Sequence, residues 1–559
     1  MPCENRDQLV ITDLVERVVE SDHVTTPRQK DRWCIRDYEL ATLGPGRALQ
    51  VNPWQVNRLG PLTIRLGLGG HYRVSLITPY STVRLKLSGG RCFDHCEPLR
   101  EGPKYIGDND IYREGYYDVE EMFWTEADLT GQDLILDDRL ATCLLAIRLT
   151  PIEAPKADTR QVRWPMMYTN DGGTLGRKPF RSPDDLFECE ERSDPDGCMR
   201  VLVYGGIFGD VCTHFTDVGT EFASLHEPDE TWRGHDVTIA RNMQKFREWG
   251  INPAEAMVKY AHERGWEMHF YIRMRSWDSP LEYRDCMQSR FYEDHPEYHN
   301  VGPNGERVLG LSIAYPQVRE HLARFCAELA GFGADGITFC YPRGTMSVLY
   351  EPIAVDGFKK AHGIDPRTLP ESDPRWLEYT AGIVTTFFRQ VKQAIGDNCR
   401  LSPMIHGTEA LNRHFGLDVA TWLKEGLVGD LFILANQVDR QGGHFAGGPE
   451  HLDLGYFQNL PGRDKVRLWP MFYSYATAGA YPWTWDPIWQ SLQACLEQGA
   501  DGYGFWDLMA RDTDDRANFE DLGKVPFAPY EKPRRLLAKF ERTLWDGYLW
   551  NRYTPIDGS

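Results

Sequence analysis

The sequence predicts an α/β chain: a (β/α)8 TIM barrel preceded by a β-sandwich of jelly-roll type. Three observations carry that prediction. The tetrapeptide Gly-Ala-Asp-Gly occurs twice, as Gly333–Gly336 and Gly499–Gly502, each time between an amphipathic stretch and a short apolar run. A helix closed by glycine, a tight turn and a strand covered on both faces have this appearance. From Val162 onward, eight apolar runs alternate with helical patterns, the count of a closed α/β barrel. Before that point the pattern is short alternating strands between Gly- or Pro-bearing turns, as in antiparallel β domains.

Taken in order, residues 1–34 read as an N-terminal segment and 35–152 as a β-sandwich accessory domain. Its expected strands are Leu62–Leu66, His71–Leu76, Thr82–Leu87, Asp133–Leu136 and Thr142–Leu149. Pro151, Pro155 and the polar stretch to Arg160 read as a linker. Residues 162–559 read as the barrel, with a C-terminal helix over Lys532–Tyr548. The barrel strands are expected at Trp164–Tyr168, Met199–Gly205, Glu267–Ile272, Gly336–Cys340, Arg400–Ile405, Leu431–Ala435, Arg467–Tyr473 and Gly502–Trp506. Ala254–Arg264 and Val318–Ala330 are the clearer helices. Asp335 and Asp501 stand 166 residues apart, more than four bare βα units require, so the loops carry insertions. Long βα loops at a barrel mouth build clefts.

At 559 residues, more than one domain is expected. A net charge of −20 argues against nucleic acid and anionic membrane surfaces as partners. The thirteen cysteines follow no regular framework, the first residues carry no basic and apolar leader, and no run is long enough to span a bilayer. A reducing, cytoplasmic location is the expectation. The 17 Trp, 26 Tyr and 25 Phe favour clefts in which flat rings stack on sugars.

In a barrel, chemistry stands at or just after the strand C-termini. That filter leaves Asp171 after the first strand and Asp210, His214 and Asp217 after the second. Arg273, Arg275, Trp277 and Asp278 follow the third; Arg343 and Glu351 follow the fourth. His406 and Glu409 follow the fifth, Asn436 and Asp439 the sixth. Tyr473 and Tyr475 with Trp483 and Trp485 follow the seventh, and Asp507 and Asp512 the eighth. Asp335 and Asp501 precede their strands and read as turn residues. Carboxylates, Arg, His and an aromatic rim at one mouth fit glycoside hydrolysis, which needs one protonated and one ionised carboxyl. No phosphate-binding glycine loop, nucleophile elbow or paired zinc spacing is present, so no metal or cofactor is expected.

Gly333–Gly336 with Arg343-Gly344, Leu349-Tyr350-Glu351-Pro352, and Gly416–Trp422 running into Glu425–Asp430 together resemble the family 10-like glycosyl hydrolases, a bacterial group of barrel proteins. The resemblance covers roughly residues 162–550. It implies a carbohydrate-active (β/α)8 enzyme, often with an attached β-sandwich. One departure stands out. Many relatives carry an Asp at the end of strand four, where this chain reads Phe339-Cys340-Tyr341, and Glu351 becomes the nearest substitute.

The resulting expectation is a glycosidase acting on an oligo- or polysaccharide. Glu351 and Asp507 are the preferred catalytic carboxylates and Asp439 the next choice. Asp210, Arg343, His406, Asn436 and Tyr473 are expected to bind sugar hydroxyls, and Trp277, Trp483 and Trp485 to stack on rings. The rival readings are a non-catalytic carbohydrate-binding barrel and a lyase or isomerase with His214 or His406 as base. The N-terminal domain is open to three roles: sugar binding, bracing the barrel, or a subunit interface in a homo-oligomer.

Overall fold

Eight parallel strands pair in sequence order and close into a ring. They are β1 (Met166–Asn170), β2 (Met199–Phe208), β3 (Glu267–Arg273), β4 (Gly336–Cys340), β5 (Met404–His406), β6 (Asp430–Leu434), β7 (Arg467–Tyr473) and β8 (Tyr503–Trp506). Each pairs in parallel with the next, and β8 pairs back onto β1 through Met167↔Gly504 and Tyr168↔Phe505. The computed structural model describes residues 8–26, 29–40, 42–52, 55–79, 81–96, 116–156, 158–191, 193, 196–227, 232–274, 277, 286–342, 346–438, 444–446, 451–473, 485–506, 522–526 and 534–542.

Helices lie between the strands, as a parallel sheet requires. They include α1 (Gly234–Trp249) and α2 (Pro253–Glu263) between β2 and β3, and α3 (Pro316–Gly331) between β3 and β4. Between β4 and β5 lie α4 (Pro352–His362) and α5 (Pro374–Ile395). Further on, α6 (Val419–Glu425) precedes β6 and α7 (Trp485–Glu497) precedes β8. Start signals in the sequence explain several of these. Asn252 and Asp373 each accept a backbone N–H of the first turn and are followed by proline, which suits the first helical position. Along α5, Trp376, Thr380, Val384, Phe387, Val391 and Ile395 recur every three or four residues and are buried against the barrel.

Alternation along the strands separates two apolar layers. Met167, Val203, Tyr271, Cys340, Phe432, Met471 and Trp506 belong to one cluster inside the ring. Their neighbours Met166, Tyr168, Leu202, Ile272, Phe339, Ile433 and Phe505 pack outward beneath the helices. The ring is therefore a filled core, and its two ends are the places where polar groups emerge.

The described strands between Leu9 and Pro151 form mainly antiparallel sheets around two buried apolar clusters, the larger including Leu49, Leu62, Leu76, Leu85, Leu136 and Leu149 and the smaller Tyr38, Leu40, Ile77 and Leu145. The expected strands recur as Leu62–Ile64, His71–Thr78, Val83–Leu87 and Leu134–Leu136. The stretch Thr142–Leu149 is two strands rather than one. Thr142–Leu144 pairs with Gly44–Val51, whereas Ala146–Pro151 pairs with His71–Thr78, so the chain changes sheets at Leu145.

Two boundaries need correction. Leu9–Ile11 and Val24–Thr25 pair into the sheets, so much of the expected N-terminal segment belongs to the β region. At the other end, Arg534–Arg542 is a strand paired antiparallel with Tyr116–Asp128, where the pattern predicted a helix. Leu, Ala, Lys, Arg and Glu favour helix locally, but a weak propensity yields to pairing with a long strand.

Candidate active site at the barrel mouth

Register places the inward side chains of the strands in rows, and the rows end in different chemistry at the two ends. At the bottom, Asp430 accepts from Arg467 Nε (2.6 Å), Trp469 Nε1 (2.9 Å) and Ser402 Oγ (2.9 Å). Arg467 also grips Glu267 with two nitrogens at 3.0 and 2.7 Å. Burial would raise the Glu267 carboxyl, but His269, Arg467 and Arg400 together hold it below its ordinary value.

The two Gly-Ala-Asp-Gly turns belong to this end. Asp335 accepts the Met268 N–H of β3 at 2.8 Å, and Asp501 accepts the Leu468 N–H of β7 at 2.8 Å. Each carboxylate is also met by a cation-forming side chain at 2.8 Å, His262 and Arg463 respectively. Gly333 and Gly499 take φ of +94° and +91°, the conformation glycine adopts without strain. The turn-residue reading of both Asp residues agrees with these bonds.

At the mouth, Asp171 follows β1 and is paired with the Arg273 guanidinium that ends β3. Their side chains are largely buried, retaining 15% and 19% exposure. Asp171 Oδ1 has no hydrogen-bond partner among the described residues. Burial opposes the charge on Arg273, but Asp171, Tyr271 and Cys340 around it hold the guanidinium firmly protonated. Burial likewise pushes the Tyr271 hydroxyl well above its ordinary value. Tyr271 meets Trp506 edge-on at 5.7 Å. The strands come close here because Gly172 lies against Gly206; a Cβ on Gly172 would stand 2.6 Å from the Gly206 Cα.

Asp171 and Arg273 satisfy the strand-end criterion, yet other residues rank above them when sequence alone is read. The missed signal is alternation carried to the strand ends. Met167, Thr169 and Asp171 share one parity along β1, and Tyr271 and Arg273 share one along β3.

Several predicted site residues lie elsewhere. Glu351 is completely buried at the start of α4. Its oxygens accept from Asn300 Nδ2 at 2.7 Å and from the Leu349 N–H at 3.0 Å. Burial raises its carboxyl above the ordinary value. It braces the strand His299–Val301 against the turn before α4, an enclosure that no local spacing reveals. Asp210 is also buried, paired with His321 at 2.8 Å. Trp277 is 1% exposed, donates to the Met274 carbonyl and lies against Gly209, which leaves no free ring face for a sugar.

His406 ends β5 beside Leu434 and packs on Phe415 at 4.3 Å. Asn436 opens the short strand Asn436–Val438, Tyr473 is the last residue of β7 and Trp485 the first of α7. Arg343, Asp439, Trp483 and Asp507 lie outside the described residues. His214, the base of one rival reading, is stacked on Phe325 and flanked by Phe270 and Phe332. Burial lowers its imidazole to about 3, and the residue is 4% exposed. Among the described residues, no group of three or more His, Cys, Asp or Glu side chains is placed to hold a metal ion, and no helix is long and apolar enough to cross a membrane.

No protein-family model matches this chain, and no curated protein matches it. Solved structures that align with it include the PgaB (BpsB) glycoside hydrolase domain from Bordetella bronchiseptica, 12% identical with a TM-score of 0.41 over 65% of this chain and 99% of that one. Another is the α-galactosidase TtGalA from Thermus thermophilus in complex with stachyose, 10% identical with a TM-score of 0.36, covering 87% and 95%. A third is a GH26-CBM35 β-(1,4)-mannanase from Podospora anserina, 10% identical with a TM-score of 0.28, covering 86% and 90%. All three are named as glycoside-cleaving enzymes. At TM-scores of this size they add nothing to the fold, which rests on the closed strand pairing described above.

Proposed function

We propose that this chain is a glycoside hydrolase whose ionised catalytic carboxylate is Asp171. The observation that carries the reading is the state of that side chain. It stands at the C-terminal end of a barrel strand, one oxygen paired to Arg273 and the other, buried, without a partner among the described residues. A carboxylate beside a permanently charged guanidinium suits the ionised role in glycoside cleavage, as nucleophile or as the base that activates water. The acid that protonates the leaving oxygen is then a second carboxyl. Asp507, the residue after Trp506 on the strand next to β1, is the leading choice and Asp439 the alternative. Asn436, Tyr473, His406 and Arg343 end neighbouring strands or follow them and supply hydrogen bonds to sugar hydroxyls. Trp483 and Trp485 supply stacking faces. No cofactor is required for this reaction.

The test is turnover. The full-length protein, incubated with a panel of neutral and charged oligo- and polysaccharides, should release new reducing ends from at least one, and Asp171→Asn should abolish the release. A second reading, a sugar-binding barrel without catalysis, is favoured by Cys340, which occupies the inward end of β4 and is no carboxylate. Calorimetric binding of a glycan that is never cleaved would decide for it.

A further inference from the structure

Between Asp171 and β2, residues 174–190 carry a set of charged side chains that are buried against the N-terminal sheets. Arg84, fully buried on the strand Val83–Leu87, grips the Glu188 carboxylate with two nitrogens and pairs with Asp137 at 2.5 Å. Arg139 pairs with Asp185 at 2.7 Å. In return, Arg181 reaches back to Asp137 at 2.9 Å and to Asp138 at 2.5 Å. Lys178 pairs with Glu188 and is 9% exposed. Both sides thus contribute cations and carboxylates, and the signs balance across the junction.

Buried charges persist only when paired with good geometry, so such a junction defines one relative placement of its two sides. Asp138 is fixed within the N-terminal part by the Leu59 and Gly60 N–H groups at 2.7 and 3.0 Å. The other side is tied to the mouth. Two residues beyond Glu188, the buried Glu190 accepts from Asn170 Nδ2, and Asn170 Oδ1 accepts the Gly172 N–H at 2.8 Å. Asp171 lies between those two bonded residues. From the barrel side, Asn242 of α1 donates to the Leu175 and Lys178 carbonyls at 2.7 and 2.8 Å.

We infer that the N-terminal sheets are a positioning element for the barrel mouth: through the Arg84–Glu188 and Arg139–Asp185 pairs they hold residues 174–190, and through these the turn that carries Asp171. Arg84 and Glu188 are positioning residues that need touch no substrate. Their bearing on catalysis rests on the mouth being the site proposed above, but the placement itself does not.

Hydrogen exchange of the full-length protein separates the two. In Arg84→Met, amides of residues 170–190 should exchange at least tenfold faster than in the wild type, while those of β6 and β7 keep their rates; Arg84→Lys should recover part of the protection. On a glycan that the wild type cleaves, Arg84→Met should lower kcat at least tenfold and leave KM within about threefold. Should Arg84→Met fail to fold, Arg181→Met, at the half-buried rim of the cluster, carries the same prediction. Unchanged exchange in 170–190, or an equal rise along the whole chain, overturns the inference. A wild type that cleaves no glycan overturns the proposed function and leaves the exchange result to decide the placement.

Discussion

The bottom and the mouth of this barrel are ends of the same rows of side chains, and they are finished in opposite ways. At the bottom Asp430 has both oxygens taken, and Glu267 is shared by Arg467 and Arg400. Asp335 and Asp501 each tie a turn to the backbone of the preceding strand in sequence. At the mouth Asp171 is paired through one oxygen and keeps the other without a partner among the described residues. A closed set of bonds holds a structure together but leaves nothing to offer a substrate. An incompletely satisfied carboxylate costs stability and is kept where chemistry needs it. An acidic residue therefore means different things at the two ends.

The comparison breaks most decisively at Asp171. Asp171→Asn should reduce glycan hydrolysis at least a thousandfold, about 4 kcal/mol of transition-state stabilisation, measured as kcat/KM on the cleaved substrate. Its unfolding midpoint in urea should move little. The reverse is expected of Asp430→Ala, which strips Arg467 and Trp469 of a buried acceptor. It should lose about 3 kcal/mol of stability in urea unfolding, with activity per folded molecule retained. If Asp430→Ala instead abolishes turnover in a protein of normal stability, the division between the two ends is wrong.

A third expectation sharpens the boundary between packing and chemistry behind the mouth. His214 is held neutral by burial, its imidazole lowered from 6.5 to about 3. Between those values the unfolded chain binds one more proton than the native state, so stability rises with pH through this window. Acidification should remove about 1.4 kcal/mol per pH unit below 6.5, levelling off near 3. His214→Phe should flatten that component of the pH profile in urea titrations, and an unchanged slope would contradict the packing role. The smallest effect tests the duplicated turn. Asp335→Asn and Asp501→Asn should each cost about 1 kcal/mol, nearly equally, because each exchanges one charged acceptor of a strand N–H for a neutral one.

Much of the barrel was legible in the sequence, because buried parallel strands read as short apolar runs ended by glycine or proline. Gly336–Cys340 and Arg467–Tyr473 keep the boundaries read from sequence alone. Elements defined by distant partners were harder to see. The switch between sheets at Leu145 and the strand Arg534–Arg542 depend on pairing with residues far along the chain. The site shows the same division. Position at a strand end is local, so Asp171 and Arg273 could be named as strand-end residues. Their ion pair spans 102 residues and has no local trace. The enclosure of Glu351 has no local trace either, because the Asn300 side chain that bonds it is 51 residues away.

The central claim is that the chemistry resides at Asp171, and a crystal structure of the full-length Asp171→Asn protein with a bound oligosaccharide tests it most directly. The account predicts a sugar ring in the mouth, between the ends of β1, β3 and β8, with residue 171 within about 3.5 Å of the anomeric carbon or of the water that attacks it. An oligosaccharide bound on another face, with residue 171 touching only Arg273, would contradict it.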